Sequence, residues 1–136
     1  MFHIDYKLDK DSHNGIGLFV TQNVLEGDIV VDYDEEWVRV IYLETLEQMS
    51  SITRKSILKH AYDGAAHAKY GLPEGYIYFD LDDCRFLNHS DNPSIAFDYE
   101  DEKYKATRDL IIGDELTMDY REFCTVGKYC ADFLSD

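Results

Sequence analysis

Asn88-His89-Ser90 sets an amide, an imidazole and a hydroxyl in consecutive positions, and Asp119-Tyr120 sets a carboxylate beside a phenol. Groups of this kind can orient a ligand or guide a proton. Singly they admit plainer readings: a turn histidine that hydrogen-bonds its own loop, a strand-end Asp-Tyr, or an Asn-x-Ser glycosylation acceptor, which needs a secreted chain. Gly15-Ile16-Gly17 invites a dinucleotide reading, yet Val20 stands where the third small residue is required and the following residues look extended rather than helical. These glycines instead suit a sharp turn or a close approach of the backbone to another chain or ligand. Asp80, Asp82 and Asp83 fail as a calcium loop because Arg85 occupies the sixth position, where glycine is needed. Cys84, Cys124 and Cys130, even with His89, lack the spacing that fixes a tetrahedral zinc, so no metal site is expected.

The elements that must position these residues are mostly strands. Phe2, Ile4, Tyr6 and Leu8 alternate with polar residues, the period of a half-buried strand. Runs rich in Val, Ile, Tyr and Phe predict further strands at about 17–20, 28–32, 38–42, 76–81, 94–99, 104–107 and 115–118. Turn residues separate them: Asn14-Gly15, Glu26-Gly27-Asp28, Pro73-Glu74-Gly75, Asp91-Asn92-Pro93 and Gly113-Asp114. One insertion, about 45–62, has a helical pattern, with Thr45-Leu46-Glu47-Gln48 as a capping box and Leu46, Met49 and Ile52 on one stripe. Ile57, Leu58 and Ala61 leave that phase, which predicts two short helices broken near Ser50-Ser51. The expected class is a mostly β domain of α+β type, one domain over 1–136.

Composition bounds the partners. The chain carries 13 basic and 28 acidic side chains, a formal charge of -15, with 45% hydrophobic and 14% aromatic residues. That is enough apolar surface for a core and too much for a disordered acidic chain. Such a charge repels phosphate backbones and anionic lipid and attracts basic proteins or peptides, so neither direct nucleic-acid binding nor a membrane is expected. An amino terminus unlike a signal peptide and an odd number of cysteines lead to a cytoplasmic expectation.

Arg85-Phe86-Leu87-Asn88-His89-Ser90 with Asp91-Asn92-Pro93-Ser94, and then Gly113-Asp114-Glu115-Leu116-Thr117-Met118-Asp119-Tyr120, resemble in order and spacing the two signature motifs of the SET domain, the lysine methyltransferase fold. Gly15-Ile16-Gly17-Leu18-Phe19 is similar to that family's opening motif. The resemblance covers nearly the whole chain, and in compactness it looks most like stand-alone SET proteins of bacteria and viruses. Two positions depart from the pattern: Ser94 replaces the usual Asn after Pro93, and Ile16 replaces a frequent Trp.

The resemblance implies a β-clip-like fold of several short sheets, with a carboxy-terminal pseudoknot in which a closing segment, about 121–136, threads beside the Asn-His strand. It implies an S-adenosyl-L-methionine site using Gly15, Ile16, Gly17, Leu18, Arg85, Phe86, Asn88, His89 and Tyr120, with Phe123 or Tyr129 stacking on adenine. Tyr120 is the expected catalytic phenol. Tyr76 and Tyr78 are both candidates for a second channel tyrosine, and Met118 falls where the family sets the number of methyls added. The implied activity is methyl transfer to a lysine amine of a basic protein, the alternative being a catalytically silent SET-like module that binds peptide or cofactor. A homodimer is one means by which so small a domain could complete its groove.

Overall fold

The computed structural model describes residues 1–32, 35–62 and 75–122. Phe123, Tyr129, Cys124, Cys130, the Pro73-Glu74 turn and the closing segment from 123 onward, hence the expected threading, lie outside the described residues. The strands are β1 (Tyr6–Lys10), β2 (Ile16–Val20), β3 (Ile29–Asp32), β4 (Val38–Tyr42), β5 (Tyr76–Asp80), β6 (Asn88–His89), β7 (Ile95–Asp98), β8 (Lys103–Ala106) and β9 (Glu115–Met118). Among the described residues, two helices, α1 (Leu43–Gln48) and α2 (Ser51–Leu58), lie between β4 and β5. The fold is thus mostly β, with few short helices and several small sheets.

The described residues divide into two compact units, one from 1–35 and 86–119, the other from 36–85 and 120–122. In the first unit, β1-β2-β9-β6 form one sheet and β3-β8-β7 another. Leu18, Val20, Val30, Ile95, Leu110 and Leu116 are fully buried there, and Leu18 pairs with Leu116 across β2 and β9. Two turns of the same construction set strand ends. In Leu25-Glu26-Gly27-Asp28 and Ile111-Ile112-Gly113-Asp114, the aspartate N–H donates to the first carbonyl while its carboxylate accepts from the first N–H. Gly27 and Gly113 take φ of 86° and 99°, which a side chain would disfavour.

The second unit is the hairpin-like pair β4-β5 with the two helices. Leu46, Ala61 and Ile77 form its buried cluster, joined by Met49, Ile57 and Leu58. Among these residues no helix is long and apolar enough to cross a membrane.

Three sequence expectations need correction. The first strand begins at Tyr6, Phe2 making only an isolated bridge to Val31, so the alternation in residues 2–8 overstates it. Helix α1 starts at Leu43 rather than at a Thr45 capping box: its N-cap is Tyr42, which makes no side-chain cap bond, and Leu43 N–H donates instead to the Gly75 carbonyl at 3.1 Å. Ile52 is 81% exposed and off the buried stripe because Ser50 ends the first helical phase by capping α2, accepting from Thr53 N–H.

Candidate active site

Two clusters hold most of the residues singled out by the sequence, one in each unit. In the first, the two-residue strand β6 lies parallel to β9, with Asn88 opposite Thr117 and His89 opposite Met118. Ser90 N–H extends the ladder to the Met118 carbonyl at 3.0 Å. The two signature stretches therefore meet as neighbouring backbones.

The Asn88 carboxamide nitrogen lies 3.0 Å from Asp11 Oδ2, 3.2 Å from the Ile16 carbonyl and 3.4 Å from Glu115 Oε1. One amide thus ties the β1–β2 turn to β9. Asp11 is itself preset, its Oδ1 accepting from the N–H groups of His13 and Gly15 at 2.8 Å. Burial works against the Asp11 charge, but those bonds and the Asn88 amide hold its pKa below the usual carboxylate range. Burial raises the pKa of Glu115, and the neighbouring Asp11 charge adds to that. Two acidic groups around one amide make a locality that favours a positively charged ligand.

Gly17 completes this arrangement by lacking a side chain. A Cβ there would stand 2.5 Å from Glu115 Oε1 and 3.1 Å from Asn88 Nδ2. The close-approach reading of the Gly15-Ile16-Gly17 run therefore holds for its second glycine. Gly15 abuts the Asp11 carboxylate, Ile16 contributes its carbonyl while its side chain is exposed, and the Leu18 side chain is fully buried in the core. His89 stands between two carboxylates, with Nε2 at 3.1 Å from Asp91 Oδ1 and Nδ1 at 3.8 Å from Asp119 Oδ1. Met118 is buried, and Phe86 is half-buried.

Arg85 belongs to the second unit. Its Nη1 donates to the carbonyls of Leu81 and Asp82, and its own carbonyl receives His60 Nδ1 at 2.8 Å.

The second cluster is aromatic. Tyr62 and Tyr78 are buried and stack, their ring centroids 5.7 Å apart at 22°, with Tyr120 and Val38 packed against them. Two backbone bonds lock the pair: Tyr62 N–H to the Tyr78 carbonyl at 3.0 Å and Tyr78 N–H to the Tyr62 carbonyl at 2.8 Å. Tyr76 sits elsewhere on β5, opposite Tyr42, with their rings 4.7 Å apart. Of the two candidates, Tyr78 belongs to the buried cluster against which Tyr120 packs, and Tyr76 pairs with Tyr42.

Sequence reasoning missed three residues. In the sequence Tyr62 reads as the end of a helix, Asp80 as a poor calcium ligand and Ser94 as a departure from a motif. Tyr62 Oη donates to Asp80 Oδ1 at 3.1 Å. Burial raises the Asp80 pKa to about 6. Ser94, fully buried, bonds β9 through Thr117 and the Glu115 carbonyl. The alternation of Tyr78 with Asp80 on one strand face was a signal for the first pair; nothing local signalled the Ser94 contacts.

The SET domain family profile matches residues 15–121. No curated protein sequence matches the chain. Among solved structures, a Plasmodium falciparum protein assigned as a histone methyltransferase shares 17% identity at a TM-score of 0.54, over 87% of this chain and 94% of that one. Polycomb Repressive Complex 2 of Chaetomium thermophilum, as a humanized mutant bound to the inhibitor GSK126, shares 21% identity at a TM-score of 0.58, over 90% of this chain and 16% of that one. The same complex in an autoinhibited conformation bound to S-adenosylmethionine shares 19% identity at a TM-score of 0.59, over 97% of this chain and 17% of that one. The chain thus spans about a sixth of those longer chains.

Proposed function

The chain belongs to the SET domain family, and we propose that it is an S-adenosyl-L-methionine-dependent methyltransferase acting on the lysine amine of a basic protein or peptide. The observation that carries this reading is the Asn88 carboxamide, which joins the Ile16 carbonyl, Asp11 and Glu115 while its backbone pairs with β9. The residues present fit the cofactor: Gly17, lacking a side chain, lets its backbone come closer to Asn88 and Glu115 than a Cβ would allow, and Asp11 and Glu115 give the Asn88 amide a negatively charged surround suited to a cationic ligand.

In this reading Gly15, Gly17 and the Ile16 carbonyl hold the cofactor together with Asn88 and His89. The bound cofactor supplies a methyl group on a sulfonium, open to in-line displacement by an amine. No protein nucleophile is needed, so the chain's contribution is alignment and exclusion of water. The lysine amine, with a free pKa of about 10.4, has to arrive without its proton, and a dry aromatic surround favours that loss. Tyr78 and Tyr120, packed together with Tyr62, supply such a surround. Their phenols would orient the amine and, with the cofactor bound, would offer oxygens for weak C–H···O contacts to the methyl. Met118, a flexible thioether buried on β9, stands where the family helps set the number of methyls added. The charge of -15 draws a basic substrate by long-range attraction, in keeping with a cytoplasmic enzyme acting on basic protein segments.

Calorimetry with S-adenosyl-L-methionine, followed by a labelled-methyl assay on basic proteins with mapping of the modified residue, tests the proposal. Cofactor binding and label on lysine are expected. Absence of binding overturns the reading, and binding without transfer favours a silent SET-like module.

A further inference from the structure

Tyr62 has a place in the aromatic cluster that the reaction as described leaves without a task. Its backbone is bolted to β5 by two hydrogen bonds, its ring stacks on Tyr78 at 22°, and its hydroxyl donates to Asp80. Asp80 and Tyr78 are two apart on β5, so their side chains leave the strand on the same face. The Tyr62 ring lies against Tyr78 while its hydroxyl is pinned by Asp80. A phenol stacked on a neighbour but untied at its oxygen is free to slide and flip; tied at both ends, it becomes a fixed wall. Tyr120 packs against the cluster that Tyr62 and Tyr78 form.

Keeping Asp80 here is costly. Burial raises its pKa to about 6, an effect strengthened by Asp82 and opposed by the Tyr62 bond and by Arg85. A phenol donating to a largely buried carboxylate forms a stronger bond than a neutral pair would.

We infer that Asp80 and Tyr62 are positioning residues for the proposed methyl transfer: Asp80 holds the Tyr62 hydroxyl, and the Tyr62 ring fixes the orientation of Tyr78 beside Tyr120. The inference rests on the methyltransferase reading and adds to it two residues that act through a third.

Three variants in the full chain test it. Tyr62→Phe keeps the ring and the stack but deletes the donor. Asp80→Ala deletes the acceptor, and Asp80→Asn keeps an acceptor oxygen without the charge. Tyr62→Phe is expected to lower kcat about tenfold while KM for a basic peptide and cofactor affinity stay within about twofold. Asp80→Ala should match it, the Tyr62→Phe/Asp80→Ala double variant should be no worse than either, and Asp80→Asn should recover at least about a third of wild-type kcat. In spectra of ring-labelled tyrosine, Tyr62→Phe should speed the ring flips of Tyr78 about tenfold, a readout independent of turnover. Unchanged kcat and flip rate in a folded Tyr62→Phe protein overturn the inference, as does strict additivity in the double variant. A wild-type protein that binds no cofactor overturns the underlying reading instead, a result these variants cannot mimic because none touches Asn88 or Gly17.

Discussion

Ser94 and Thr117 exchange hydrogen bonds in both directions: Ser94 N–H donates to Thr117 Oγ1 at 3.1 Å, and Thr117 N–H donates to Ser94 Oγ at 2.9 Å. The Ser94 hydroxyl also donates to the Glu115 carbonyl at 2.9 Å, and its carbonyl receives Thr107 N–H. The loop after Asn88-His89 is thus fastened to β9 at two points, the β6–β9 ladder and this buried knot. The departure from the family's usual residue at position 94 is therefore a working contact.

Ser94→Ala should cost about 1–3 kcal/mol of stability, since it deprives the Thr117 N–H and the Glu115 carbonyl of their partner at a buried position. Urea unfolding measures this. A loss below about 0.5 kcal/mol would show that a relaxed geometry or a water replaces the hydroxyl.

The Asp80 carboxyl links stability to pH. Its pKa in the folded chain is about 6 against an ordinary value of 3.8, so between those values the native state holds more proton than the unfolded chain. The stabilising contribution is full below about pH 4 and is lost as the pH rises through 6. Asp80→Asn should accordingly be no more stable than wild type at pH 4 and more stable at pH 8, by on the order of 1–3 kcal/mol. Paired urea titrations at the two pH values check the sign, and a stability difference that does not change with pH would show that Asp80 is not buried as a charge.

Tyr120→Phe keeps the ring that packs against the Tyr62–Tyr78 cluster and removes only the hydroxyl. Turnover should fall about 10²-fold with cofactor affinity within about threefold of wild type. Single-turnover kinetics beside calorimetry separate the two. Equal losses in both would move Tyr120 from the reaction to cofactor binding.

The strands were legible because Val, Ile, Tyr and Phe runs end at residues that must turn, such as Gly27 and Gly113, whose positive φ values follow from their type. Two short helices were legible from the change of phase around Ser50. The start of α1 was not, because its first N–H finds a partner in Gly75, across a segment of the chain, and no local residue reports that. The Asn88 network joins residues 77, 72 and 27 positions apart, and only the family pattern made Asn88 stand out. Tyr62 with Asp80 and Ser94 with Thr117, 18 and 23 residues apart, had no such guide. Side-chain bonds of that span are set by tertiary packing, to which periodicity is blind.

Gly17 offers the sharpest test of the cofactor assignment because its surroundings discriminate fold from site. In Gly17→Ala the new methyl would meet Glu115 Oε1 first, at 2.5 Å, and that atom ends a flexible side chain able to swing away at small cost to the fold. Asn88 Nδ2, at 3.1 Å, ends a short side chain already committed to the Ile16 carbonyl and Asp11, and has less freedom to move. Stability should therefore fall by no more than about 1 kcal/mol, while S-adenosyl-L-methionine affinity should drop at least about tenfold as the carboxamide turns. Asn88→Ala should weaken binding by a similar factor, and combining the two should add little, since both act on one contact set. Calorimetry on the three variants decides: wild-type affinity in a folded Gly17→Ala protein would place the cofactor elsewhere.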